Sequence, residues 1–319
     1  MTRPNALVTG AGGFIGRHLV DRLLAIDMPV SVLVRSARPL PERWAGRLER
    51  IECGDWSEAG LRAAIGSRNL AVIFHLAAYG TFPGDRDIEQ ALRVNVELPA
   101  TLVRLCKERG ASLVMAGTLS EYRPPTNRIP LTELAPIESW RMYGSSKAAG
   151  GLVAGALAAH FGVGLRILRL FHTYGPGEAG HRLLTSLATG LRQGRRVALS
   201  AGTQVRDFVY VADAVEAFIR AAAHVGSHMA SRDQPVTWNV CSGIGHSVRD
   251  FALAVAAVMG ARRELLGFGD LELRADDVPW LVGNGERIAA DLGWRPGYDI
   301  ASGIRAALAG MTGTERLIA

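Results

Sequence analysis

Tyr143 and Lys147 stand four residues apart in Tyr143-Gly-Ser-Ser-Lys147. On a helix that spacing puts a phenol and an ammonium on one face, a turn apart. A cation that close favours the phenolate, so such a tyrosine trades protons nearer to neutrality than its usual pKa of about 10 allows. A lysine so placed also reaches the ribose of a bound cofactor. Thr118, in Ala116-Gly-Thr118-Leu-Ser-Glu-Tyr122, follows an apolar run and precedes the Tyr143 helix, which sets its hydroxyl at a sheet edge. A Tyr-x-x-x-Lys pair by itself also describes a surface i,i+4 pair, so the elements around it decide its meaning.

Those elements start with Ala6 to Asp21, a short apolar strand, glycines at 10, 13 and 16, and a helix with Leu19, Val20, Leu23 and Leu24 on one face. Gly10 permits a tight turn, Gly13 lets backbone approach a pyrophosphate, and Gly16 lets the helix lie close on the strand. The helix N-terminus offers free N–H groups and a positive dipole end to phosphates. Further strands are expected at Pro29–Val34, Leu48–Glu52, Leu70–Leu76, Ser112–Ala116 and Gly164–Leu170, with helices at Ile88–Arg109 and Tyr143–Phe161. This alternation predicts an α/β fold, a doubly wound parallel sheet buried on both faces. Beyond Gly175 the pattern loosens. Helices are expected at Leu183–Leu191, Val248–Met259, Gly285–Leu292 and Ile300–Ala309, and strands at Val197–Leu199, Phe208–Val211 and Thr237–Val240. They predict a smaller, interrupted C-terminal substrate-binding lobe over the sheet's carboxyl edge. The expected division is 1–172, with 206–225 and 236–242 returning to it, as the dinucleotide-binding domain, and 173–319 mainly as the substrate lobe. Gly226-Ser-His-Met-Ala-Ser231 resembles a cloning remnant and is read as an exposed loop.

The 319 residues are 48% hydrophobic and 21% charged, typical of a soluble globular protein. No run reaches about 18 uncharged apolar residues and no secretory leader opens the chain, so a cytoplasmic protein off the membrane is expected. Cys53, Cys106 and Cys241 are scattered, and no His, Cys or carboxylate spacing suits a metal, so buried thiols and no metal are expected. The net charge of +6 comes from dispersed Lys and Arg without interleaved aromatics. It suits an anionic small molecule rather than nucleic acid. No serine stands in a nucleophile elbow, which disfavours hydrolysis.

Taken in order, TGAGGFIG at 9–16, GD at 54–55, HLAA at 75–78, Asn95 in VNV, GTLSEY at 117–122, YGSSK at 143–147, LRLFHTYGPGE at 168–178, RDFVYVAD at 206–213 and LGWRP at 292–296 resemble the extended short-chain dehydrogenase/reductase family. The resemblance is to its nucleotide-sugar branch, the NAD-dependent epimerase/dehydratase type, and runs nearly end to end. It implies a Rossmann-type sheet and a site assigned position by position. Thr118 would hydrogen-bond the oxygen on the reacting carbon, Tyr143 would be the general acid/base, and Lys147 its electrostatic partner. Gly10, Gly13, Phe14, Ile15, Gly16, Trp56, Leu76, Ala77 and Ala78 would line the cofactor, with Asp55 accepting from the adenine amino group. Arg206 and Arg274 would meet the substrate pyrophosphate. His172 stands where many relatives carry asparagine and reads either as a substrate contact or as a packed loop histidine, and Arg182 reads either as a nucleotide contact or as solvent-exposed charge. Two small-residue helices of this family pair across a dimer axis, so the smooth helix from Lys147 to His160 implies a homodimer.

Cofactor choice follows from strand two. NAD-selective members end it with a carboxylate on the ribose hydroxyls, whereas Val32-Leu-Val-Arg35-Ser-Ala-Arg38 has no acid there. Arg35 and Ser36 would welcome a 2′-phosphate, so NADP is expected ahead of NAD. Dehydratases of the branch carry acids within two residues after the threonine. Leu119 and Ser120 stand there instead and Glu121 comes one residue later, which disfavours water loss. The leading expectation is NADPH-dependent reduction of a nucleotide-linked keto sugar, a 4-keto-6-deoxyhexose above all. The alternative is a 4-epimerase that retains NAD. A non-enzymatic scaffold would not need both Tyr143 and Lys147, and a reductase of small aromatic or acyl-thioester carbonyls would have no use for Arg206.

Overall fold

The first strand, β1 (Asn5–Thr9), is buried from Ala6 onward and runs into α1 (Phe14–Ala25), whose buried Leu19, Val20, Leu23 and Leu24 form the expected face. The structure is a computed structural model, and it describes residues 5–35, 39–82, 84–227, 235–274 and 277–311. β2 (Val30–Val34), five buried residues with three valines, and β3 (Glu49–Glu52) extend the sheet on one side of β1. Between β3 and the next strand lies α2 (Glu58–Ile65), a helix the sequence reading passed over. Its start is marked by Ser57, whose hydroxyl accepts from the Gly60 N–H at 3.1 Å.

β4 (Leu70–His75) pairs with β1 in parallel, Thr9 opposite His75. The single helix expected over 88–109 is α3 (Ile88–Leu92), a π-helical turn (Arg93–Glu97), and α4 (Leu98–Arg109). β5 (Ser112–Thr118), α5 (Met142–Phe161) and β6 (Leu165–Leu170) follow. β7 (His172–Tyr174), α6 (Leu183–Arg192), β8 (Val197–Leu199) and β9 (Val205–Tyr210) come next. The strand expected to continue through Val211 stops at Tyr210, and Val211 opens α7 (Val211–Ser227). Ala214, Phe218, Ala221 and Val225 are buried at helical spacing along it, a pattern that its many alanines disguise in the sequence. Gly226 and Ser227 close α7, and the rest of the presumed loop to Ser231 lies outside the described residues.

β10 (Val236–Val240) completes a seven-stranded sheet in the order β3, β2, β1, β4, β5, β6, β10. It is a Rossmann-type sheet, with the strand order reversing between β1 and β4, where such sheets hold ligands. The core on the α4–α5 side joins Leu7, Ile73, Leu102, Leu113 and Met115 to Cys106 and Ala154. The three cysteines are buried and free.

The chain divides into two compact units, one of residues 1–123, 135–169 and 215–238, the other of 124–134, 170–214 and 239–319. The second unit contains β11 (Gly245–Ser247), α8 (Val248–Met259), β12 (Leu266–Phe268), β13 (Trp280–Leu281), α9 (Glu286–Leu292) and α10 (Ile300–Gly310). Its β9 is flanked by antiparallel β11 and by parallel β13 and β7, and β8 pairs with β12. Among the described residues no helix is long and apolar enough to cross a membrane.

Candidate active site

The first glycine turn is built by close backbone approach. Gly10 has φ +71°, and a Cβ on it would lie 2.5 Å from the Ala77 nitrogen. A Cβ on Gly16 would lie 2.2 Å from the Gly10 carbonyl oxygen, so the helix meets the strand where only glycine fits. Gly13 donates to the Gly10 carbonyl at 2.9 Å and caps α1, which has no side-chain cap and no acid in its first turn. The positive end of α1 is therefore left to an anion, with Phe14 and Ile15 half-buried beside it. Across the turn, the Ala77 N–H donates to the Thr9 hydroxyl at 3.4 Å, and Leu76, Ala77 and Ala78 run on, half-buried, from β4.

Arg35 is exposed just after β2, while Ser36 lies outside the described residues. Asp55 is exposed after β3. Its carboxylate accepts from the Ser57 N–H at 2.9 Å and the Ser57 hydroxyl at 2.7 Å, bonds that hold it below the ordinary carboxylate range. Trp56 turns inward and donates to the Cys53 carbonyl at 2.8 Å. A glycine cradle closed to a Cβ at Gly10 and Gly16, a helix start with no side-chain cap, and an exposed cation and anion at the neighbouring strand ends fit a nicotinamide dinucleotide.

Thr118 ends β5, and Tyr143 and Lys147 lie in the first two turns of α5 on the same side of the sheet edge. Lys147 is 3% exposed and donates to the Ala116 carbonyl at 2.8 Å, which ties its ammonium to the strand that carries Thr118. Burial lowers its pKa from the ordinary lysine value, against the pull of Glu121. The start of α5 is pressed onto the turn after Thr118, since a Cβ on Gly144 would lie 1.9 Å from the Ser120 carbonyl oxygen. Gly80, at φ +98°, lies under the Tyr143 ring, 3.0 Å from its Cδ2 by the same measure. Tyr143 stands in the first turn of this 20-residue helix.

Several supports were not expected from the sequence, although Glu121 and Asn95 stand in its motifs. Glu121 is 2% exposed and paired with Arg169 at 2.7 Å, while its other oxygen accepts from the Thr118 N–H at 2.9 Å. The Arg169 guanidinium lies 4.6 Å over the Tyr122 ring. Asn95, in the π turn, accepts from the Tyr79 N–H at 3.0 Å and donates to the Tyr79 carbonyl at 2.8 Å and the Ser146 hydroxyl at 2.9 Å. Gly150 then lets α5 close on Asn95, whose carbonyl oxygen would be 1.8 Å from a Cβ there. The available signals were the glycines at 144 and 150 and an arginine inside an apolar strand.

The second unit holds the other expected residues. Arg206 is 8% exposed. It donates to the Val205 carbonyl at 2.9 Å and the Val278 carbonyl at 2.7 Å, and pairs with Asp277. His172 packs against Phe208 at 6.0 Å between ring centroids, with Nδ1 buried and unpartnered. Burial, with Arg206 and Arg182, lowers its pKa to about 3, so the ring is neutral. Arg182 is exposed at the N-cap of α6, and Arg274 is exposed. The acids of RDFVYVAD serve the backbone. Asp207 accepts from the N–H groups of Ser242, Gly243 and Gly283 and from the Ser242 hydroxyl, and Asp213 from those of Gly297 and Tyr298.

The model of the NAD dependent epimerase/dehydratase family matches residues 6–241. A UDP-glucose 4-epimerase of Azospirillum brasilense is 30% identical, over 94% of this chain and 90% of its own. A dTDP-6-deoxy-L-talose 4-dehydrogenase (NAD(P)(+)) of Kitasatospora kifunensis is 28% identical, over 93% and 92%. Among solved structures, MoeE5 in complex with UDP-glucuronic acid and NAD is 28% identical, with a TM-score of 0.79 over 97% of this chain and 99% of that one.

Proposed function

From the premise that this chain belongs to the NAD dependent epimerase/dehydratase family, nucleotide-sugar enzymes of the extended short-chain dehydrogenase/reductase type that work with NAD(P), we propose that it is an NADPH-dependent ketoreductase of a nucleotide-linked keto sugar. The substrate we favour is a 4-keto-6-deoxyhexose. The observation that carries the reading is the state of the carboxylates beside Thr118. Leu119 and Ser120 offer none, and the nearest, Glu121, is spent on Arg169 and on the Thr118 N–H. An enzyme that removes water from a sugar needs a free acid and base there; a reductase needs only Tyr143.

Gly10, Gly13 and Gly16 would hold the pyrophosphate of the cofactor, whose nicotinamide would supply the hydride when bound. Thr118 donates a hydrogen bond to the carbonyl oxygen and Tyr143 delivers the proton. Lys147 holds the negative charge left on the phenol, from a buried site where charge acts strongly. Arg35, exposed just after β2, would favour a 2′-phosphate over a bare hydroxyl on the adenosine ribose, which supports NADPH as a consumed cofactor. Arg206 retains N–H donors beyond those used on Asp277 and the two carbonyls. With His172, Arg182 and Arg274 it would serve the diphosphate of the substrate.

A second reading, a 4-epimerase with retained NAD, is supported by the Azospirillum relative and uses the same three catalytic residues. A mass-spectrometric screen of nucleotide sugars with NADPH separates the two. A gain of two hydrogens with NADPH consumed supports reduction, whereas isomerisation with tightly bound NAD and no consumption supports the epimerase. We further propose a cytoplasmic homodimer paired through α5, where Leu152 and Val153 are exposed. Light scattering on the eluted protein tests the dimer, and a monomeric mass refutes it.

A further inference from the structure

His75 has no part in the mechanism above, yet it lies in the row of residues directly below it. It ends β4, opposite Thr9 on β1 and Met115 on β5, and the carbonyl next after Met115, that of Ala116, carries Lys147. The ring is fully buried. Its Nδ1 meets the Thr9 hydroxyl at 2.8 Å, and its Nε2 is buried without a hydrogen-bond partner. Lys147 shows a matching deficit. Among the described residues its buried ammonium bonds only the Ala116 carbonyl, which leaves two N–H groups. A bound ribose would take one of them; a buried ammonium does not leave the other unmet without cost.

We propose that His75 is a positioning residue for Lys147, its Nε2 lone pair accepting from the ammonium through one buried water. The two are not directly bonded, and a water with two strong partners is the ordinary way to join such groups. The tautomer follows from the field. Beside an ammonium the imidazole proton belongs on Nδ1, donated to the Thr9 hydroxyl, with the lone pair on Nε2. Burial, and then the charge of Lys147, keep the ring neutral by lowering its pKa to about 3. The charged and titratable groups acting on the ammonium are Glu121 after β5, paired with Arg169 on β6, and His75 on β4; Tyr143 stands one turn earlier on its own helix. His75 is thus the uncharged acceptor that holds the cation in place without quenching it. Loss of that acceptor disfavours the ammonium and so raises the pKa of Tyr143.

This inference rests on the pairing of Tyr143 with Lys147 but not on the identity of the sugar, so the test needs no substrate. Phenolate absorbance near 295 nm is titrated on the full chain with NADP bound, and the Tyr143 signal is the difference between the parent and Tyr143→Phe. Three variants are compared, each with its thermal midpoint. His75→Gln keeps a polar atom near the Nε2 position, His75→Asn keeps one near Nδ1 towards Thr9, and His75→Leu keeps neither. The expected result is a Tyr143 midpoint raised by about one pH unit in His75→Leu and His75→Asn, and restored in His75→Gln. A role through Thr9 alone gives the reverse, rescue by Asn and not by Gln, and overturns the proposal, as does any pattern in which Asn and Gln behave alike. The Asn and Gln variants decide the matter even where His75→Leu does not fold. Should the parent show no tyrosine titrating below the ordinary range, the Tyr143–Lys147 pair itself fails and takes this inference with it. The substrate screen failing alone leaves the inference standing.

Discussion

The edge of the first unit that carries Tyr143 and the β9 region of the second are both rich in motif residues, but they are held together by different means. In the first, backbone meets backbone. Gly16 lies on the Gly10 carbonyl, Gly144 on that of Ser120 and Gly150 on that of Asn95, each closer than any Cβ allows. In the second, side-chain charge is spent on scaffolding. Asp207 and Asp213 satisfy backbone N–H groups of neighbouring segments, and Arg206 ties Val278 and Asp277 to β9. These close approaches draw on no side-chain charge. In the second, the arginine and aspartates of a motif hold the fold themselves, so any ligand role proposed for Arg206 has to share its side chain with the scaffold.

The sharpest break of this contrast is Tyr143→Phe. The phenol hydroxyl is the proton donor in the proposed reaction, and the ring packs on Gly80 with or without it. A fall in kcat of about 10³-fold is expected, with the thermal midpoint and the affinity for NADPH little changed. A fall below tenfold would move the acid/base role to another residue. Single-turnover reduction with saturating NADPH makes the measurement.

Next in size is Arg169→Met, which tests whether the first region has a charged support of its own. Removal of the guanidinium leaves Glu121 buried beside Thr118 with its second oxygen unmatched. A stability loss of about 3 kcal/mol is expected by urea unfolding, along with a lower kcat as the Thr118 turn loosens. The double variant Glu121→Gln with Arg169→Met recovers much of the stability because no charge is stranded. An equal loss in single and double variants would mean that Arg169 matters through its stacking on Tyr122.

The two regions also differ in how much of them the sequence carried. The parallel sheet, the glycine turn and the sharing of one edge by Thr118, Tyr143 and Lys147 follow from strand-length apolar runs and from glycine and hydroxyl spacing. These are local properties, and local properties survive in a pattern. The helix α7 escaped because its run of alanines and valines from Val211 suits a strand as well as a helix. The pairing of Glu121 with Arg169 and of Arg206 with Asp277 joins residues far apart in the chain, and no spacing encodes it. Arg169 gave a partial hint, since a cation inside a strand buried on both faces must have a partner.

A pH measurement extends the comparison to a buried acid of the second region. Glu178 is 6% exposed and accepts from the Thr185 N–H at 3.1 Å, at the start of α6. Burial raises its pKa to about 7, against the pull of that hydrogen bond. The folded protein therefore binds this proton more tightly than the unfolded chain does. The stability it gives is complete below the unfolded carboxylate value and lost as pH rises through about 7. Between pH 5 and 8 the parent is expected to lose on the order of 2 kcal/mol that Glu178→Gln retains. Parallel pH profiles of the two proteins, showing no difference in slope, would remove Glu178 from this role.

The smallest effect is the most discriminating, because it sets two arginines of the second region against each other. Arg206 is buried and its guanidinium links β9 to Val278 and Asp277, whereas Arg274 is exposed. Arg206→Ala should lower the thermal midpoint and raise KM together, since one side chain serves both the fold and the ligand. Arg274→Ala should leave the midpoint in place and raise KM by about threefold, the loss of one solvent-screened contact to a phosphate. That threefold should shrink as salt is added, because an exposed pair weakens with ionic strength and a buried one does not. A KM change in Arg274→Ala that ignores salt would mean the arginine is enclosed when ligand binds. No change at all would assign it to the solvated surface and leave the phosphate to Arg206, Arg182 and His172.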